Sequence, residues 1–147
     1  MRAFEDKLIN ITEQHAEEIS NQWGKAVRSN PRTPSYHSIE KDQCALHAMD
    51  FYKNLGRIYF SDKPYTEVSD YFTKYAEERH KEGIPLHEAI YALIMMRRHI
   101  WIYADFQAVV LTGLDQQKAV GSINKTIRIF DHGIYIVIKR YEEMSSK

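Results

Sequence analysis

Arg97, Arg98 and His99 stand together in the middle of an apolar run, with IYALIMM before them and IWIYA after them. A guanidinium among apolar residues must be paired or must reach water, because an unpaired buried charge is costly. Neighbouring residues on a helix point about 100° apart, so Arg97 and Arg98 face different surroundings. One chemistry this allows is a socket for a small anionic ligand, since the planar guanidinium suits a carboxylate or phosphate. Trp101, His99 and Tyr36 are then the further candidate ligand-binding residues, and the many aromatics would equally line a pocket for an apolar ligand. The other reading is an ion pair between helices, with Glu77, Glu78, Asp50 or Asp131 as the acid. Buried arginines are more often paired in this way.

The remaining reactive residues give weaker patterns. Seven histidines raise the question of a metal, yet no HxxxH or HExxH pair occurs. A di-iron helical bundle needs several His and carboxylate ligands at i, i+3 or i+4 spacing on facing helices, and pairs at that step, such as His15 with Glu18 and His37 with Glu40, are too few. No metal site is expected, and His15, on an apolar stripe, reads as a hydrogen-bonded core histidine. Cys44 has His47 three residues later on the same helix, but no oxyanion-hole motif or third orienting group accompanies them. A packed cysteine is the better reading, so no catalytic residue is assigned and a binding module is expected in place of an enzyme.

Twenty basic residues balance twenty acidic ones in 147 residues. Nucleic acid is not an expected partner, because phosphate binding calls for a concentrated basic face. A 44% hydrophobic and 27% charged composition is that of a globular chain. The start MRAFEDKLINITEQ lacks the apolar run of a signal peptide, and no stretch is long and apolar enough for a membrane helix. A cytoplasmic protein is expected, and its one cysteine excludes an internal disulfide framework.

Hydrophobic spacing at three and four residues predicts that the candidates sit on helices throughout, in a single all-α domain over residues 1–147: an antiparallel bundle of about five helices. The first helix is expected over about residues 2–29, with Phe4, Leu8, Ile11, His15, Ile19, Trp23 and Ala26 on one stripe. NPRTPSYHS, with Pro31 and Pro34, is an ordered crossing loop. Ser38 is a plausible N-cap for a second helix that turns Cys44, Ala45, Ala48, Met49, Phe51, Tyr52, Leu55, Ile58 and Tyr59 inward. A break at residues 61–64 leads to a third helix through Val68, Phe72, Tyr75, Ala76 and Arg79, ending at Gly83. Pro85 then opens the central helix, predicted to run to about Leu111, with Glu88 in its acid-preferring first turn. Residues 112–115 read as a tight turn into the last helix, whose stripe is Ile123, Ile127, Phe130, Ile134, Ile138 and Tyr141. Ile129, Ile136 and Val137 lie off that stripe, which leaves them for a homodimer contact or for the first helix to cover.

Three segments, TPSYHSI at 33–39, EGIPLHEAIYAL through RRHIW at 82–101, and FDHGIYIVIKRYEE near the end, resemble in their joint order the N-terminal sensory domain of RsbT co-antagonist (RsbRD-type) proteins and of bacterial sensor histidine kinases. The resemblance implies an all-helical stress-response or kinase input module, acting as a homodimer on a kinase, phosphatase or stress-complex output protein. No output domain follows Lys147, so the chain is expected to be either a stand-alone member or an excised domain. RHKEGIPLHEAIYAL is also similar to globin-type sensor domains, which implies haem as an alternative cofactor with His80 on its iron. The spacing from His80 to Gly83 is one residue short of that pattern.

Overall fold

The computed structural model describes residues 5–107 and 113–145, leaving aside the side chains of residues 5–8, 11, 64, 101, 103–107 and 113–123. Six α-helices and a single 3-10 turn make up the described chain, which contains no strand: α1 (Glu5–Gln14), α2 (Ala16–Val27), the turn Pro34–Tyr36, α3 (Lys41–Tyr59), α4 (Pro64–Lys81), α5 (Leu86–Gln107) and α6 (Gly113–Ser145). One cluster of buried residues draws on all six helices. No described helix is long and apolar enough to cross a membrane.

The long first helix of the sequence reading is two. His15 breaks it with φ −110° and ψ 23°, and its side chain is 43% exposed, so it is not a core histidine. The buried residues Ile9, Thr12, Ala16, Ile19, Trp23 and Val27 keep helical spacing across the break. Their continuous period hides the kink. It lets α1 lean on α3, where the Glu13 carboxylate accepts the backbone N–H of Gly56 at 2.8 Å.

The helix predicted from Ser38 starts at Lys41, and its cap residue Glu40 makes no side-chain capping bond. Ser38 and Ile39 belong to the loop instead: Ile39 donates its N–H to the Tyr36 carbonyl, and its own carbonyl accepts from Arg28 Nε at 2.9 Å. Beyond that point the expected inward residues of α3 and α4 are buried, Met49 only in part.

Gly83 ends α4 at φ +79°, the left-handed region where an L side chain is strained. Its N–H reaches the His80 carbonyl, and the Ile84 N–H reaches that of Arg79, which is the Schellman arrangement. Helix α5 follows as the hub of the fold. Trp23 Nε1, Tyr52 Oη and Tyr75 Oη, from α2, α3 and α4, donate to the carbonyls of Ala92, Met96 and Ala89 at 3.0, 2.9 and 3.3 Å. Those carbonyls lie three and four residues apart, on one stripe of the helix. Leu111, the expected end of α5, and Thr112 lie outside the described residues, whereas residues 113–115 of the expected turn already belong to α6.

Helix α6 is rotated from the predicted register. Among its described side chains the buried residues are Thr126, Ile129, Phe130, Gly133, Val137 and Tyr141, whereas Ile138 is exposed and Ile134 only partly covered; the side chain of Ile123 lies outside the described ones. Ile129 and Val137 are therefore core and not a spare face, because Gly133 at the centre of the buried stripe lets the helix lie directly on the Phe72 ring. Glycine reads as a gap in a hydrophobic pattern, and here it marks the closest contact.

Candidate functional site

Helices α3 and α4 run back past each other and leave a groove of about 630 Å³ between them. Cross-groove pairs give its order: Arg57 with Glu67 at 2.8 Å, then Asp50 with the Tyr71 hydroxyl at 3.3 Å, then His47, whose Nε2 is 3.7 Å from Glu82 just past the end of α4. Arg79 forms the wall at this last end, with its side chain only 5% exposed.

Tyr36, Tyr71, Tyr75 and Tyr141 and the carboxylates of Glu78 and Glu82 lie around Arg79. Its guanidinium lies 5.0 Å from the Tyr75 ring centroid and donates through Nη2 to Glu82 at 2.8 Å and, more weakly, to Glu78 at 3.5 Å. Burial by itself would weaken its proton affinity, but the neighbouring Tyr75, Glu82 and Tyr36 reverse that, and the group stays charged. Behind it Tyr36 is fully buried, edge-on to Trp23 with 6.2 Å between ring centroids. Burial, then Tyr75, drives the Tyr36 hydroxyl far above the ordinary tyrosine range, while Arg79 pulls the other way. Burial also pushes Tyr75 up to about 12, and it raises Tyr141, whose hydroxyl donates to the Ile84 carbonyl at 2.8 Å.

Two buried polar atoms in this cluster, Arg79 Nε and His47 Nδ1, have no hydrogen-bond partner among the described residues, while the Tyr36 hydroxyl interacts with that of Tyr75. Buried polar atoms are nearly always satisfied, and these two are closed off from the open groove by the residues around them. Burial, with Arg79 adding to it, lowers the affinity of His47 for a proton against the opposing pull of Glu82. The imidazole is accordingly neutral near pH 7, and its approach to Glu82 is a polar contact more than an ion pair.

The residues singled out in the sequence do not converge. Arg97 is 23% exposed and faces α6, with Nη1 3.4 Å from Asp131 Oδ1, which is the interhelix pair with one of the four acids considered. Arg98 is exposed and acts with Arg32 on the Tyr91 hydroxyl, which both lower by hydrogen bonding. His99 is partly covered, its Nδ1 2.8 Å from the Met95 carbonyl one turn back. The Trp101 side chain lies outside the described ones. Tyr36 is elsewhere, in the Arg79 cluster.

Cys44 is fully buried, and desolvation pushes its thiol up to about 11, the reverse of what a nucleophile needs. His80 is exposed and lies edge-on to Tyr141, with 5.4 Å between ring centroids. No group of three or more His, Cys, Asp or Glu among the described residues is placed to hold a metal ion.

Arg79 was within reach of the sequence. It sits on the same stripe as Phe72, Tyr75 and Ala76, three residues before Glu82, so its burial and its partner both follow from helical spacing. Of the adjacent pair Arg97 and Arg98, only Arg97 is partly covered, and Arg98 is exposed.

No family model matches the chain, and no curated protein or solved structure matches it either.

Proposed function

We propose that the chain is a sensory or regulatory input domain, which binds a small ligand in the α3–α4 groove and transmits the event by helix rearrangement. The position of Arg79 carries this reading. The residue walls the groove and also occupies the last turn of α4, beside the Gly83 turn and the Ile84 carbonyl held by Tyr141 of α6. A ligand settling against Arg79 at this end of the groove acts directly on the junction between α4 and α5, and Tyr141 carries any shift of that junction into α6. A ligand moves such an equilibrium only by as much as it prefers one arrangement, so binding must differ between two states of the junction.

The resemblance to RsbRD-type sensory domains supports the same role, with a kinase, phosphatase or stress-complex protein as the receiver and a cytoplasmic setting. Self-association belongs to this reading too. Among the described side chains of α6, the exposed large hydrophobic residues available for it are Tyr135 and Ile138.

The test titrates a panel of amino acids, amines, carboxylates, sugars and nucleotides against the purified chain, following its melting temperature and amide exchange. A groove ligand should raise the melting temperature, come through chemically unchanged, and alter exchange over residues 134–141 of α6 as well as in α4. A ligand that is consumed, or one whose effect stops at the groove, would overturn the input-domain reading, as would a panel with no binder.

A further inference from the structure

We propose that His47 is a proton-operated latch on the α4–α5 junction: the closed arrangement accepts its imidazole only as the neutral ring, and protonation frees Glu82 from Arg79 and loosens the Gly83 turn. A proton is a separate input to the same junction, so this inference stands or falls apart from any groove ligand.

The hydrogen-bond count around the ring carries it. Nε2 lies 3.7 Å from Glu82 Oε1, and Nδ1 is buried with no partner among the described residues. A neutral ring keeps its one N–H on Nε2, toward the carboxylate, and leaves Nδ1 a bare lone pair. An imidazolium has an N–H on both nitrogens. It would bury a charged donor with no acceptor, which costs far more than an unused lone pair.

The neighbouring charges give the direction of the movement. Glu82 Oε1 also accepts from Arg79 Nη2 at 2.8 Å, so a charged ring would share one oxygen with a cation that repels it. Arg79 is 5% exposed and Glu82 is 30% exposed, which makes the carboxylate the partner free to follow the ring outward. The other groups near the ring leave this balance in place. Glu78 already serves Lys74 and Arg79, and Asp50, three residues along α3, meets Tyr71 and Asn54. Burial keeps the protons on Cys44, Tyr36, Tyr75 and Tyr141, so none of them supplies a negative charge. Arg28 of α2 acts on Cys44 and adds only repulsion. Loss of the Arg79–Glu82 pair then reaches the turn along the chain, because the Arg79 carbonyl accepts the Ile84 N–H and the His80 carbonyl accepts that of Gly83.

Proton NMR of His47 against pH, with amide exchange at Gly83 and Ile84, tests this in the full chain. The ring should titrate below its ordinary value of 6.5. Protection at the two amides should fall by up to about tenfold per pH unit from there down to the folded midpoint, the slope for uptake of one proton. Urea below the unfolding transition should leave that protection unchanged, because a local opening exposes little surface. His47→Gln, which cannot take the proton, should abolish the slope. A ring titrating at or above 6.5 would overturn the latch. So would protection at 83 and 84 that is flat with pH, that falls with urea as fast as that of the α5 core amides, or that keeps its slope in the glutamine variant. Each of these results leaves the groove-ligand reading untouched, since that titration is made at constant pH.

Discussion

Glu88 accepts both polar hydrogens of Ser35, the backbone N–H on Oε1 and the hydroxyl on Oε2, each at 2.7 Å across fifty-three residues of chain. The carboxylate is 3% exposed, so this fork joins the crossing loop to the first turn of α5 out of reach of most water. Hydrogen bonds to a charged group are worth about 1.5–3 kcal/mol each, and a partner left unsatisfied adds to the loss. Glu88→Ala is expected to lower stability by roughly 3 kcal/mol in urea unfolding. Glu88→Gln, which keeps one oxygen acceptor, should lose about half as much. An unchanged midpoint for the alanine variant would show that the loop is held without this fork, by contacts such as Arg28 to the Ile39 carbonyl and Thr33 to the Val27 carbonyl.

Gly133 gives a steric counterpart. A Cβ built there would lie 2.6 Å from the nearest Phe72 ring atom, and that ring is fully buried among Phe51, Tyr71 and Tyr75. With no room for the ring to yield, Gly133→Ala should cost about 1–3 kcal/mol, despite the better helix propensity of alanine. A more stable alanine variant in thermal unfolding would mean that α6 can slide outward without penalty.

Much of this could be read from the chain, and the failures have physical causes. The inward residues of α3 and α4 and the Gly83–Pro85 junction follow from period and cap chemistry, which are local. The kink at His15 escapes because the buried stripe keeps its period through it. The register of α6 escapes because its core side is centred on a glycine, while large residues such as Ile138 and Tyr135 face outward. The Arg79 cluster is a matter of tertiary arrangement. Nothing local indicates that Tyr36 of the crossing loop and Tyr141 of α6 close over the end of α4.

Acid should weaken the fold through His47. Its proton affinity is lowered in the folded chain, first by burial and then by Arg79, from the ordinary value of 6.5. The unfolded chain therefore binds the proton more readily, and the stability is complete above about pH 6.5 and lost as pH falls toward the folded value. His47→Gln should flatten that part of the stability profile in urea titrations at successive pH values. An equal decline in wild type and variant would assign the acid sensitivity to other groups.

Cys44 should be inert in the native protein. With its thiol pushed up to about 11 by desolvation and the residue fully buried, only about one thiol in a thousand is ionised at pH 8, and none is accessible. A disulfide reagent such as Ellman's is expected to react only after urea is added. Rapid labelling of the folded chain would reverse the assignment of Cys44 to the core.

Arg79 and Arg97 form a matched comparison, because each meets a carboxylate and they differ in burial. Arg97 is 23% exposed and its partner Asp131 is 63% exposed, at a separation of 3.4 Å. Solvent screens such a pair, and Arg97→Met should cost less than about 1 kcal/mol. Arg79 is 5% exposed and 2.8 Å from Glu82, which is itself 30% exposed. Removing a buried partner usually costs about 3–5 kcal/mol, and the partial exposure of Glu82 reduces this, so about 2 kcal/mol is expected for Arg79→Met. Methionine retains much of the packing against Tyr75, which leaves charge as the main difference between the two variants. Urea unfolding of both variants decides the order. If Arg97→Met proves the more costly, the charge that matters to the fold lies between α5 and α6, and the end of the α3–α4 groove is not where this protein keeps its buried cation.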